Sequence, residues 1–215
     1  MGQAFVYALA GAKFAHVFWL PKEGVLVDCG LPWESWEILR GVKRFGGLDT
    51  VKHILITHAD VDHFGGMGRL QRATGATVWI GGADVGYLTG EKHRPDIKRV
   101  AGWMIRPKLP SAYRVLEEWW HPRIEAIHTP GHSEGHYMFR YTPEGGEAML
   151  FIGDIYKNHD GRLVSGGLNW NSAVLRKTQK ALEPVLGSGV WIYPSHGKRF
   201  RKGICGYARA DVHDD

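Results

Sequence analysis

Between His58 and His63 the sequence HADVDH places two imidazoles and two carboxylates in six residues, and Gly65 and Gly66 follow directly. These are the side chains that hold divalent metals through nitrogen and oxygen. Taken singly, each reads as a polar loop residue or a helix-capping carboxylate. Four at this density point to a metal site. The stretch follows the apolar run HILIT, which puts it in the loop leaving the C-terminal end of a strand, where α/β proteins concentrate their chemistry. Positions two apart in such a segment can project the same way, so His58 and Asp60 can converge on one metal. Asp62 and His63, where the chain turns, can reach a second. Gly65 and Gly66 let the backbone turn tightly into the next helix.

Three later stretches share this local logic: HTPGHSEGH (128–136), FIGD (151–154) and YPSH (193–196). Each ends a β-type run, and in each a small residue lets the chain bend around a potential ligand, namely His132, Asp154 or His196.

The elements that must position these residues are legible as alternating patterns. Strand-type runs occur at 5–10, 16–20, 24–30, 51–58, 76–81, 124–129, 136–141, 148–154 and 189–196, several of them continuously apolar, as expected for strands buried on both faces. Helical spacing appears at 33–45, at 65–75 with a glycine at its end, and at 171–186 behind a cap at Asn171 or Ser172. Alternation of the two predicts an α/β chain. At 215 residues it is most simply one domain, 1–215. Residues 82–122 break the rhythm, carry four prolines together with Trp103, Trp119 and Trp120, and are expected to form a lid insertion.

The combination resembles the metallo-β-lactamase-fold hydrolase superfamily, whose pattern is a Thr-His-x-His-x-Asp-His loop, then Pro-Gly-His, Gly-Asp and a terminal His. This sequence has Thr57-His58-Ala59-Asp60-Val61-Asp62-His63, Pro130-Gly131-His132, Gly153-Asp154 and Ser195-His196, and its VLVDCG, with Asp28 and Gly30, is similar to the family's first hairpin. The match runs from about residue 15 to 197. The resemblance implies a four-layer αβ/βα sandwich of two mixed β-sheets flanked by helices, with metals at the edge between the sheets. It implies His58, Asp60 and His132 as the ligands of one metal, Asp62, His63 and His196 as those of another, and Asp154 as the bridge. The expected cofactors are two divalent metal ions, Zn2+ first, with Fe or Mn as alternatives.

Asp60 stands where the family usually has its second histidine. An added carboxylate brings the cluster near neutrality. A water held there should therefore ionise at higher pH, and the first site becomes harder and friendlier to iron or manganese. Flavodiiron proteins of the superfamily also carry a carboxylate at this position and bind iron, but have an appended flavodoxin domain with no counterpart in the 19 residues after His196. The glyoxalase II branch resembles this chain in TPGHSEGH, including His136, but adds a C-terminal helical region for glutathione that is not recognisable here.

These features predict a metal-dependent hydrolase that uses a dinuclear metal-bound hydroxide on a small ester, thioester or lactone, with weak β-lactamase side activity. Asp62 is the candidate catalytic residue, passing a proton to the leaving group. Asp28 and His136 are candidates for supporting the ligands from behind, and Tyr156, Lys157 and Trp103 for contacting substrate. Rival readings are a non-haem iron oxidoreductase working on oxygen or persulfide, and a phosphodiesterase or nuclease.

The net charge is +5 and the pI about 9.2, with basic residues gathered at 98–108 and 197–203. Beyond a solvated surface, such charge can steer an anionic small-molecule substrate. No nucleic-acid-binding signature accompanies it, so nucleic acid is not expected as a partner. Two cysteines, Cys29 and Cys205, make no disulfide framework, and no segment is apolar enough to span a bilayer. A cytoplasmic, membrane-free protein is expected, and exposed tryptophans among the nine would be consistent with a homodimer.

Overall fold

The computed structural model describes residues 5–9, 14–93, 107–159, 162–187 and 189–201. Trp103 and most of the 98–108 basic run lie outside them. The chain divides into two compact units, residues 1–119 and 120–215.

The first unit is built on a six-stranded mixed sheet: β1 (Tyr7–Ala8), β2 (Phe18–Leu20), β3 (Val25–Val27), β4 (His53–Leu55), β5 (Thr77–Ile80) and β6 (Tyr113–Val115), in that spatial order. The first three strands pair antiparallel, and β3 through β6 run parallel. Register lines up Trp19, Leu26, Ile54 and Val78 across β2–β5. These residues share a core with Ile38, Leu39 and Val42 of α1 (Ser35–Arg44) and Met67 and Leu70 of α3 (Met67–Thr74). Strands that alternate nothing and bury everything belong to a sheet covered on both faces, and Phe18, Val27 and Leu55, on the opposite face, are buried as well. Between α1 and α3 lies the one-turn helix α2 (Val61–Phe64).

Of 82–122, the described residues up to Trp119 are part of this unit. They contribute the short helix α4 (Val85–Thr89), closed by the left-handed Gly90, and β6, which pairs parallel to β5 at the sheet edge. Neither carries a sequence signal: α4 is five residues long, and β6 presents exposed Tyr113 and Arg114 rather than an apolar run.

The second unit holds a five-stranded mixed sheet in the order β13-β12-β9-β8-β7. Its strands are β7 (Ile124–His128), β8 (Tyr137–Tyr141), β9 (Met149–Gly153), β12 (Trp191–Pro194) and β13 (Phe200–Arg201), of which only β9 and β12 are parallel neighbours. A separate hairpin joins β10 (Lys157–His159) to β11 (Arg162–Val164). Helix α5 (Ser172–Leu182) packs Leu175 and Leu182 against Met138, Leu150, Ile152 and Ile192. It starts where the sequence predicts: the Asn171 side chain accepts from the N–H groups of Ala173 and Val174. Among the described residues no helix is long and apolar enough to cross a membrane.

Candidate metal centre

In the first unit two neighbouring parallel strands end in the chemistry. β3 delivers Asp28, and β4 leads through Ile56 into Thr57 and His58, all of it buried. Asp28 adopts φ 63°, a conformation L-residues rarely hold without compensation. Its carboxylate supplies the compensation. It accepts the Thr57 backbone N–H at 2.8 Å, the Thr57 hydroxyl at 2.9 Å and the Nδ1–H of His63 at 2.9 Å.

That network assigns both histidine tautomers. Thr57 has one hydroxyl proton and gives it to Asp28, so toward His58 Nδ1, 3.0 Å away, its oxygen accepts. Nδ1 of His58 and Nδ1 of His63 are then both protonated, and in the neutral imidazole each Nε2 presents a lone pair. His58 Nε2 lies 3.2 Å from Asp60 Oδ2, and His63 Nε2 lies 3.7 Å from Asp62 Oδ2.

Asp60 is the N-cap of α2 by its backbone, its carbonyl accepting from His63 and Phe64, yet its carboxylate makes no capping hydrogen bond. The capping explanation for this carboxylate is thereby removed, since its side chain is turned onto His58. Asp62, in the first turn of α2, is the more open of the two, its side chain 26% exposed against 9% for Asp60. The glycines after α2 answer to close approach: a Cβ on Gly66 would lie 2.3 Å from the carbonyl oxygen of Cys29.

In the second unit Asp154 follows β9 and His196 follows β12, again neighbouring parallel strands, while His132 lies in the loop between β7 and β8. Asp154 turns one oxygen to each histidine: Oδ2 is 3.7 Å from His132 Nε2, and Oδ1 is 3.3 Å from His196 Nε2. His136 ligates nothing in this arrangement. Its Nε2 accepts the backbone N–H of Asp154 at 3.2 Å, so its Nδ1 carries the proton and donates to Thr129 Oγ1 at 2.8 Å. Tyr156 directs its hydroxyl to the Gln179 carbonyl of α5 at 3.3 Å, and burial, followed by the charge of Glu183, raises its pKa. Lys157 opens β10, half-buried.

These residues fit a divalent ion. His58, Asp60, Asp62, His63, His132, Asp154 and His196 all belong to donor groups that could hold one. The lone pair of a neutral imidazole facing a carboxylate oxygen is repulsive, and either a proton or a metal cation between them removes the repulsion. Two ligands ~2.1 Å from a tetrahedral ion are themselves about 3.4 Å apart, close to the 3.2, 3.7, 3.7 and 3.3 Å found here.

Two supporting residues escape a motif-based reading. Asp84, fully buried, accepts the backbone N–H of Ala59 at 2.9 Å, in the middle of the candidate-ligand loop. It lies just beyond β5, the parallel neighbour of β4, and that placement after a strand end was the available signal. Asn169 accepts from His132 Nδ1 at 3.0 Å, and nothing in GGLNW announces it.

Comparison with known proteins agrees with this geometry. The family model described as the metallo-beta-lactamase superfamily matches residues 10–192. A probable metallo-hydrolase, YflN, of Bacillus subtilis is 29% identical over 156 residues, covering 60% of this chain and 57% of that protein. A hydroxyacylglutathione hydrolase of Rhodospirillum rubrum is 33% identical over 132 residues, covering 60% of this chain and 43% of its own. The chain thus spans less than two thirds of the length of these relatives. A motif variant of the metallo-beta-lactamase from Cronobacter sakazakii shares the fold at a TM-score of 0.68 and 19% identity, over 90% of this chain and 77% of that one.

Proposed function

The chain belongs to the metallo-beta-lactamase superfamily, and on that footing we propose that it is a metal-dependent hydrolase of a small ester, thioester or lactone. One observation carries the reading: each candidate carboxylate, in either unit, has an imidazole Nε2 between 3.2 and 3.7 Å away. In this reading His58, Asp60, Asp62 and His63 of the first unit, and His132, His196 and Asp154 of the second, with an Asp154 oxygen toward each of its histidines, are the residues that would hold the metal.

A pair of divalent ions, when bound, would supply a water of lowered pKa and an electrophile for the carbonyl oxygen of the substrate. The chain's own work is to aim and to move protons. Asp28 and Thr57 hold His58 and His63 with Nε2 outward, and His136 holds the backbone of Asp154. Asp62, the more open carboxylate of its loop, takes the proton of the attacking water and returns it to the leaving group. A thioester is favoured within the class by the hydroxyacylglutathione hydrolase relative, whose named substrate is an acylated thiol.

A second reading, a non-haem iron oxidoreductase, draws on Asp60, whose buried carboxylate makes the first ligand set oxygen-rich. Metal content by mass spectrometry, on untagged protein purified without added metal, separates the two. It is followed by assays on S-acyl glutathione, aryl esters and lactones with and without chelator. Zinc at about two per chain, with chelator-sensitive hydrolysis, supports the hydrolase. Mostly iron with oxygen consumption supports the second reading, and hydrolysis indifferent to metal removal overturns both.

A further inference from the structure

The loop between β11 and α5, residues 165–171, makes three contacts with Gly131 and His132 and one within itself that fixes the third. The Trp170 N–H donates to the His132 carbonyl at 2.9 Å, and the Asn171 N–H to the Gly131 carbonyl at 3.0 Å. The Asn169 side chain meets His132 Nδ1 at 3.0 Å, while its own Nδ2 donates to the Gly166 carbonyl at 2.8 Å. That last bond decides the orientation of the amide. Nδ2 is committed as donor to a backbone carbonyl, so Oδ1 faces the imidazole, and an amide oxygen can only accept. His132 must therefore carry a proton on Nδ1, which in the neutral imidazole leaves the lone pair on Nε2, the atom toward Asp154.

The loop is held in this shape at a cost. Leu168 adopts φ 56°, one of two non-glycine residues at positive φ among those described, and the residue is 52% exposed. A branched apolar residue gains nothing from a left-handed backbone at the surface. The conformation follows from the next two residues, since turning there is what brings the Asn169 amide and the Trp170 N–H onto His132 together. On the other side Gly131, at φ 137°, lets the loop lie against α5: a Cβ there would be 2.4 Å from Leu175 Cα.

We propose that Asn169 is the positioning residue of His132: it selects the imidazole tautomer and holds the ring so that Nε2 is available to a metal ion. The proposal rests on the metal-centre reading above for its consequence, and on hydrogen-bond chemistry alone for the tautomer. Outer hydrogen-bond partners of histidine ligands are worth about 10–100-fold in metal affinity.

The test uses the full chain with Asn169→Ala, Asn169→Asp and, as a stability control, Asn171→Ala, which removes the α5 cap without touching the His132 ring. Two quantities are read. One is the imidazole nitrogen shifts of His132 in metal-free protein, assigned with His132→Ala. The other is zinc affinity by chelator competition. Asn169→Ala should mix the two tautomers of His132 and weaken zinc by about 10–100-fold, and Asn169→Asp, which keeps an acceptor, should restore both. Asn171→Ala should lower the melting temperature and leave tautomer and affinity alone. An unchanged tautomer in Asn169→Ala, or an Asn169→Asp variant as weak as Asn169→Ala, overturns the proposal. Wild-type protein that binds no zinc defeats the metal-centre reading instead, and the nitrogen shifts still decide the role of Asn169.

Discussion

His63 donates its Nδ1–H to Asp28 Oδ2 across 2.9 Å with neither side chain exposed by more than 1%, and this bond ties the residue that follows β3 to helix α2. Asp28 reaches it only by taking a left-handed backbone.

Asn at position 28 tolerates that backbone as well as Asp does, so Asp28→Asn tests the bond without breaking the turn. Its amide oxygen can still accept from Thr57, which leaves the NH2 group facing His63. The imidazole must then move its proton to Nε2, the atom proposed to bind metal. The expected outcome is a folded variant with zinc bound about 10–100-fold more weakly, measured by chelator competition beside circular dichroism. Retention of wild-type affinity would remove Asp28 from the scheme.

Asp60→His replaces a buried carboxylate 3.2 Å from His58 Nε2 with a neutral ligand. Removing one negative charge from the cluster should tighten zinc, lower the iron share in as-purified protein and move the acidic limb of the kcat/KM profile to lower pH. A superimposable metal content and pH profile would mean that Asp60 is not a ligand.

His136 is wholly buried, and both its nitrogens are engaged, with Asp154 and with Thr129. His136→Phe fills the space but leaves the Asp154 N–H without its acceptor, at a cost of about 1–3 kcal/mol. A lower urea midpoint should therefore accompany weaker zinc binding. A drop in stability with zinc affinity intact would restrict His136 to packing.

Cys29 is buried, and desolvation, followed by the charge of Asp28, raises its thiol pKa well above the ordinary 9.0. The folded state thus holds this proton more tightly than the unfolded chain does. That stability is fully present below pH 9 and is lost as pH climbs above it. Urea midpoints between pH 7 and 10 should fall less steeply in Cys29→Ala than in wild type. In native protein the peptide carrying Cys29 should resist iodoacetamide until denaturant is added, as read by peptide mass spectrometry. Rapid native alkylation would contradict the burial.

Much of this molecule could be read along the chain because its candidate ligands cluster in sequence or follow obvious strands. HADVDH needs no partner to announce itself, and GD after AMLFI or SH after GVWIYP sits where a buried strand must end. The alternating runs likewise foretold nine strands and three helices at nearly their observed places. What remained hidden is what depends on proximity between distant residues. Asp84 lies 25 positions from Ala59, and Asn169 lies 37 from His132, each in a loop whose composition is ordinary. The edge strand β6 takes its strand character from pairing with β5, not from its own exposed side chains. Even the tautomers, on which any ligation depends, are set by Asp28 and Thr57 meeting 29 residues apart. A local pattern can name the atoms able to bind a metal. Which of their nitrogens is bare is decided by hydrogen-bond partners that only the folded chain brings into reach.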